Sequence, residues 1–91
     1  MLKVCEGVRA RHTEDGGILL DVRQGHMFRL NPVGSLILSW LEAGFEESRI
    51  SEELSQKFSI DRAIAETAVL EFLELLRKQD LLEVRPSHRN V

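Results

Sequence analysis

The first third of the chain alternates apolar and polar positions in short runs, a pattern typical of half-buried β-strands. The predicted strands span Val8–Thr13, Ile18–Val22 and His26–Leu30. The sequence EDGG at positions 14–17 separates the first two, and its Asp-Gly and Gly-Gly pairs favour the positive φ angles of a hairpin turn. A second turn is predicted at residues 23–25. Together these runs predict a three-stranded antiparallel meander.

Apolar residues at helical spacing replace the alternation after Asn31. Asn31 can cap a helix with its side-chain oxygen, and Pro32 suits the first helical position, where no amide hydrogen is needed. Gly44 ends this helix, and Asp61 can cap a later one. The predicted helices span about 32–43, 47–58 and 61–79. A meander followed by three helices predicts an α+β fold similar to a winged helix-turn-helix.

The third predicted helix carries more apolar surface than one core contact needs. At 100° per residue, its central stripe consists of Ala65, Val69, Phe72 and Leu76. One flank consists of Ile64, Ala68 and Leu75, and the other of Leu70 and Leu73. Either the first two helices both pack against this wide arc, or part of it forms a groove or a dimer interface beside the core.

Length and composition indicate an ordinary folded domain. The chain has 91 residues, of which 43% are hydrophobic, and a net charge of −3. We expect a single domain over 1–91, with a core of about 8–84, a frayed tail at 85–91, and Leu81, Leu82 and Val84 either packed on the sheet or forming a last short strand. No apolar run approaches the roughly 20 residues of a membrane span, and the opening MLKVCEGVRA lacks a signal-peptide core. These features favour a cytoplasmic protein.

Residues that could carry catalysis are scattered. The histidines are His12, His26 and His88. None has a Cys, Ser or carboxylate at a sequence spacing that indicates a relay, and no Cys/His spacing indicates a metal site. Cys5 has no visible activator and lies in an N-terminal segment that we expect to be mobile. The sequence therefore favours a protein without catalytic residues, metal or cofactor.

A winged fold raises the question of DNA binding, which needs cationic or amide side chains on a recognition helix. The third helix has Arg62, Arg77 and Lys78 near its ends, with Glu66, Glu71 and Glu74 between them. Carboxylates in that position repel phosphate, and the net negative charge lacks the concentrated basic surface of a nucleic-acid binder. The sequence disfavours a nucleic-acid partner.

The run GGILLDVRQGHMFRLNPVGSLILSWLEAG, residues 16–44, resembles the centre of PqqD-like proteins, the small recognition elements of ribosomally made, modified peptides (RiPPs). The matching features are Asp21, Gly25, Met27-Phe28, Leu30-Asn31, Val33-Gly34 and Gly44. Ala68 departs from the family pattern where an acidic residue is common, and Asp80 departs where Gly is common. The segment DVRQGHMFRLN is more similar to generic and lasso-peptide versions than to the version dedicated to pyrroloquinoline quinone (PQQ) synthesis.

The resemblance implies a non-catalytic protein that binds the leader segment of a precursor peptide. In the family the leader adds as a strand to the third strand and lies against the third helix. It is then presented to a modifying or processing enzyme, such as a radical SAM enzyme, a leader peptidase or a cyclase. The candidate binding residues here are His26, Met27, Phe28, Arg29 and Leu30 on the strand, and Ile64, Ala68, Glu71 and Leu75 on the helix.

Strand alternation predicts that Phe28 and Leu30 face the core while Met27 and Arg29 face away from it. On the helix, the opposite flank of Leu70 and Leu73 is the alternative lining. Two other functions remain open at this point. One is a homodimeric interaction module that uses the same edge or arc, and the other is a winged-helix DNA-binding protein.

Overall fold

A computed structural model describes residues 2–84 of the chain. Its strands are β1 (Leu2–Val4), β2 (Val8–Thr13), β3 (Gly16–Asp21), β4 (His26–Leu30) and β5 (Leu82–Val84), and its helices are α1 (Pro32–Glu42), α2 (Glu47–Phe58) and α3 (Arg62–Lys78). The predicted α+β fold, a three-stranded antiparallel sheet followed by three helices, is confirmed. The tail predicted to fray, 85–91, lies outside the described residues.

The meander has the strand order β2-β3-β4, so β4 lies at one edge and β3 in the centre. Its central strand begins at Gly16, two residues before the predicted Ile18, and the hairpin turn consists of Glu14 and Asp15 alone. Gly16 pairs with Thr13 and has a φ of +132°, with its Cα facing the carbonyl oxygen of Leu30. The glycine therefore lets β3 and β4 approach where another residue would clash.

A second, two-stranded sheet joins β1 to β5, with Leu2 opposite Val84. The expectation of a mobile N-terminal segment is wrong for residues 2–5. Backbone pairing orders this segment, and the Cys5 N–H donates to the Leu81 carbonyl at 3.0 Å. The last apolar residues form the short strand that was one of the two alternatives.

The start of α1 follows its local signal fully and the start of α3 only in position. The Asn31 side-chain oxygen accepts a hydrogen bond from the Gly34 N–H at 2.7 Å, and Pro32 opens α1 directly after β4. Asp61 does occupy the cap position of α3, but its side chain makes no capping hydrogen bond. The junction between β4 and α1 is thus fixed by one capped turn without a loop.

The core lies between the meander and the helices. Its buried members are Leu19, Leu30, Ile37, Leu38, Leu41, Ile50, Leu54, Ala65, Val69, Leu73, Leu76, Leu81 and Leu82. Leu73, predicted on an outer flank of the third helix, is only 2% exposed and belongs to this core, whereas Phe72 is half-buried. Ile64, Leu70 and Leu75 remain exposed. The other helices therefore do not cover the whole apolar arc of α3.

Candidate functional site

The free edge of β4 can be located from the hydrogen bonds of the turn before it. The Gly25 N–H donates to the Asp21 carbonyl at 2.8 Å, which directs Asp21 toward β4. The backbone groups of successive residues in a strand point to opposite sides, so Leu19 and Gly17 of β3 also point toward β4. Their β4 partners, Phe28 and Leu30, therefore bond back to β3. The N–H and C=O groups of Met27 and Arg29 therefore point out from the edge.

The side chains of β4 divide between two faces as the alternation predicts. Met27 is 66% exposed and Arg29 is exposed, both on the face away from the core. Phe28 is half-buried against the core and Leu30 is buried. The exposed His26 ring meets Phe28 edge to face, with ring centroids 6.3 Å apart. This edge thus combines free backbone groups with side chains on both faces.

The start of α1 places Phe72 of α3 beside the end of β4. A Cβ atom on Gly34 would lie only 2.7 Å from Phe72 Cε1, so the ring packs where Gly34 has no side chain. Around α3, Phe72 lies between the buried stripe and the flank of Ile64, Ala68 and Leu75. Ala68 is half-buried, like Phe72. We call the β4 edge together with this flank the β4–α3 surface.

The opposite flank of α3 faces another part of the molecule. Leu70 and Leu73 border a cavity of about 240 Å³ that Leu2 and Val84 of the β1–β5 sheet also line. Glu71 and Leu75 share a shallow depression of about 320 Å³ with Leu70, on the outside of the helix. Of the predicted helix residues, Ile64, Ala68 and Leu75 therefore lie on the flank next to Phe72, while Glu71 lies at its outer margin.

An ion pair between the buried Asp21 and the partly exposed Arg23 ties the turn before β4 to the turn after α3. Asp21 is 1% exposed and accepts two hydrogen bonds from the Arg23 guanidinium, at 2.9 and 3.0 Å. The same guanidinium donates to the Asp80 carbonyl at 2.7 Å. The hydrogen bonds from Arg23 lower the pKa of the Asp21 carboxyl from its ordinary value, although burial alone would raise it. The ion pair and the bond to Asp80 together help to set the position of β4 relative to α3.

The Asp21–Arg23 ion pair predicts that the stability of the protein depends on pH. Because the folded state lowers the Asp21 pKa, the ion pair stabilises the protein above the unfolded-state pKa of about 4 and loses that effect as pH falls through the lowered folded pKa. We expect Asp21→Asn to lower the urea midpoint of unfolding at pH 7. The difference between the midpoints of the variant and the wild type should narrow below pH 4. A gap that stays constant down to pH 2 would contradict this assignment.

A hydrogen-bonded cluster around His12 joins β2 to α1, although no sequence spacing indicates it. His12 Nδ1 hydrogen-bonds Ser35 Oγ, and His12 Nε2 lies 3.0 Å from Glu42 Oε1. The order Ser-His-Glu resembles a hydrolytic relay, but Ser35 is only 4% exposed and sits beneath Gly17 of β3. A substrate carbonyl has no access to such a hydroxyl. The cluster therefore fastens α1 to β2.

Other kinds of site find little support in the part of the chain that the structure describes. Over residues 2–84, no three His, Cys, Asp or Glu side chains are grouped so that they could hold a metal ion. None of the three described helices is long and apolar enough to cross a membrane. The β4–α3 surface is thus the candidate site with the most specific features.

Comparisons with known proteins identify the family of the chain. A family model described as coenzyme PQQ synthesis protein D (PqqD) matches residues 16–82. Among solved structures, TbiB1 in complex with the TbiA(beta) leader peptide is 33% identical, with a TM-score of 0.85, covering 93% of this chain and 99% of that chain. No curated protein sequence matches the chain.

Two further solved structures have the same fold. One is lasso peptide synthetase B1 complexed with the leader peptide, which is 22% identical with a TM-score of 0.83 and covers 91% of this chain and 98% of that chain. At that identity the likeness concerns the fold alone. The other is the PqqD truncation of Methylobacterium extorquens PqqCD, a stand-alone RiPP recognition element, 27% identical with a TM-score of 0.76, covering 91% of this chain and 88% of that chain.

Proposed function

Because the chain belongs to the coenzyme PQQ synthesis protein D (PqqD) family, as the resemblance predicted, we propose that it binds the leader segment of a ribosomally made precursor peptide. The leader adds as a strand to the free edge of β4 and lies against α3. The observation that carries the proposal is the edge itself, where the backbone groups of Met27 and Arg29 point outward beside an exposed apolar flank. TbiB1, the 33% identical relative, is described in complex with a leader peptide.

The chemistry of the β4–α3 surface suits an extended peptide. Backbone hydrogen bonds to β4 supply affinity that tolerates sequence variation, while alternate peptide side chains contact pockets on one face. Phe28 and Phe72 offer half-buried aromatic surface, and Ile64 and Leu75 add exposed apolar area. We propose that apolar leader residues pack here, with His26 at one end of the strand and Glu71 at the outer margin of the helix.

The proposed role is recognition and presentation, without catalysis by this chain. The buried Ser35 hydroxyl supports this assignment, because it belongs to the only relay-like cluster among residues 2–84 and a substrate cannot reach it. The docked leader would deliver its core peptide to a modifying or processing enzyme. We propose a radical SAM enzyme, a leader peptidase or a cyclase as the classes of that enzyme.

The docking site can be tested with peptide probes and amide NMR. One probe is a peptide selected for binding from a displayed library of random twelve-residue sequences, and a second is the TbiA(beta) leader peptide. We expect the selected peptide to perturb the amide signals of 26–31 and of α3. Perturbations confined to α2 would contradict the proposal, and a protein whose β4 edge is already closed by a second copy would reveal itself by its dimer mass.

Two leucines of α3 provide a matched test of which flank binds. Leu75 and Leu70 are both 58% exposed but lie on opposite flanks. We expect Leu75→Asp to weaken binding of the selected peptide by at least about 1.4 kcal/mol, or tenfold, because a carboxylate would be desolvated against apolar side chains. Leu70→Asp should leave the affinity within twofold, as measured by fluorescence anisotropy.

The contrast between the two variants is the decisive result. Because both place the same charge at the same exposure on one helix, unfolding midpoints should change little and equally. A loss of affinity in Leu70→Asp with none in Leu75→Asp would transfer the binding surface to the flank that faces β1 and β5.

A further inference from the structure

The face of the meander that points away from the core is rich in arginine. It carries the side chains of Arg9, Arg11, Ile18, Leu20, Met27 and Arg29, and all of them are exposed. The register aligns them in two rows across the sheet. One row consists of Arg11, Ile18 and Arg29, and the other of Arg9, Leu20 and Met27. Over residues 2–84, none of the three guanidinium groups makes a hydrogen bond or ion pair.

A cavity of about 370 Å³ opens on this face beside the second half of β4. Arg11 and Arg29 line it from the two edge strands, together with the polar side chains of Thr13 and Asn31. Asp15 is the one acidic residue of its lining, so the formal charge of the lining is positive. Unpaired guanidinium groups with polar neighbours in a concave site suit a carboxylate, which arginine binds in a bidentate geometry.

The position of this cavity matters because of how a strand would pair with β4. The backbone groups of Arg29 point out from the free edge, and its side chain points to the outer face. In an antiparallel pairing, a peptide residue that bonds to the Arg29 backbone would therefore place its own side chain on that outer face, about 5 Å from the Arg29 Cβ atom. Within the sheet, Arg29 has only the apolar Ile18 as its cross-strand neighbour.

We propose that Arg29, at the β4 side of the arginine-lined cavity, binds an Asp or Glu side chain of the docked peptide on the outer face and thereby selects an acidic residue at one position. This inference rests on the proposed strand addition to β4 and extends it from the core face to the outer face. The recognised peptide then alternates: its neighbouring residues pack apolar side chains toward Phe28 and α3, while the acidic residue lies between them on the opposite face.

A double-mutant cycle with the library-selected peptide tests the pairing. Each Asp or Glu of that peptide is replaced in turn by Asn or Gln, and affinities are measured for the wild type and for Arg29→Gln. We expect one replacement to weaken binding to the wild type by about fivefold, as for a partly exposed ion pair. The same replacement should have no effect on binding to Arg29→Gln.

Arg9 provides the matched control, because it lies on the same face but on the other edge strand. In the cycle with Arg9→Gln, the protein substitution and the peptide substitution should change the binding free energy additively. A selection repeated on Arg29→Glu should replace the acidic residue by Lys or Arg. Additive effects in the Arg29 cycle, or identical selections on both proteins, would overturn the inference.

The amide spectrum separates this failure from a failure of the proposed function. Additive cycles with perturbed signals at 26–30 would leave strand addition to β4 standing and remove only the carboxylate site. Signals perturbed elsewhere, or a library that yields no binder, would overturn both.

Discussion

A proline in place of Met27 is expected to reduce leader-type peptide binding at least tenfold without unfolding the protein. The Met27 N–H points out from the free edge of β4, so its loss breaks no hydrogen bond to β3. Proline is tolerated at such edge positions, but its ring occupies the space in which an added strand would bond. One lost hydrogen bond and the steric clash together correspond to at least about 1.4 kcal/mol of binding free energy.

Met27→Ala is the control, since it removes the exposed side chain and keeps the N–H. Anisotropy titrations with the library-selected peptide should give a small loss for Met27→Ala and a large loss for Met27→Pro. Thermal unfolding of both variants should stay close to the wild type. Equal affinities of the alanine and proline variants would mean that the peptide does not bond to this edge.

The largest effect on stability is expected at Gly16. Its φ of +132° is a region that other residues avoid, and a Cβ atom there would lie 2.1 Å from the Leu30 carbonyl oxygen. That atom belongs to the backbone of β4 and cannot rotate away. We expect Gly16→Ala to reduce the free energy of unfolding by about 3 to 5 kcal/mol, measured by urea titration, because strain and overpacking act together.

Gly25→Ala separates the two causes. Gly25 also has a positive φ, of 73°, but no atom beyond its two chain neighbours lies within 4 Å of the position of its Cβ. Its substitution should cost only about 1 kcal/mol, the usual penalty for a left-handed residue with a side chain. Similar losses in the two variants would indicate that the contact with Leu30 contributes nothing.

Local signals in the sequence were sufficient wherever a short segment determines its own conformation. The second helix has the predicted bounds, Glu47–Phe58, and the third predicted strand corresponds residue for residue to β4. The cap at Asn31 is present as a hydrogen bond. Each of these features depends on side chains within a few positions of one another, so a single sequence contains the needed information.

Features that depend on distant pairing could not be predicted in the same way. The strands β1 and β5 have three residues each, too few for an alternation pattern, and each exists only because the other pairs with it. His12, Ser35 and Glu42 meet only when the register of β2 and the rotation of α1 are both known. No spacing in the sequence signals that cluster.

In the candidate site, too, some features could be predicted from local sequence and others could not. The edge position of β4 and the faces of its side chains follow from a simple meander, and both are confirmed. The arc of α3 is so wide that periodicity alone could not tell which flank is buried, and Leu73 proved to be a core residue. The contact of Phe72 with Gly34 supplies the orientation that the helical pattern lacks.

The pairing of Leu2 with Val84 has a consequence for how this domain can be combined with others. It brings the first and last described strands side by side, in a sheet separate from the one that contains β4. A polypeptide that enters through β1 and leaves through β5 does so at one place, without using the β4 edge. A domain with this geometry can be inserted into a longer chain as a cassette, or fused at either end, with its docking edge still open.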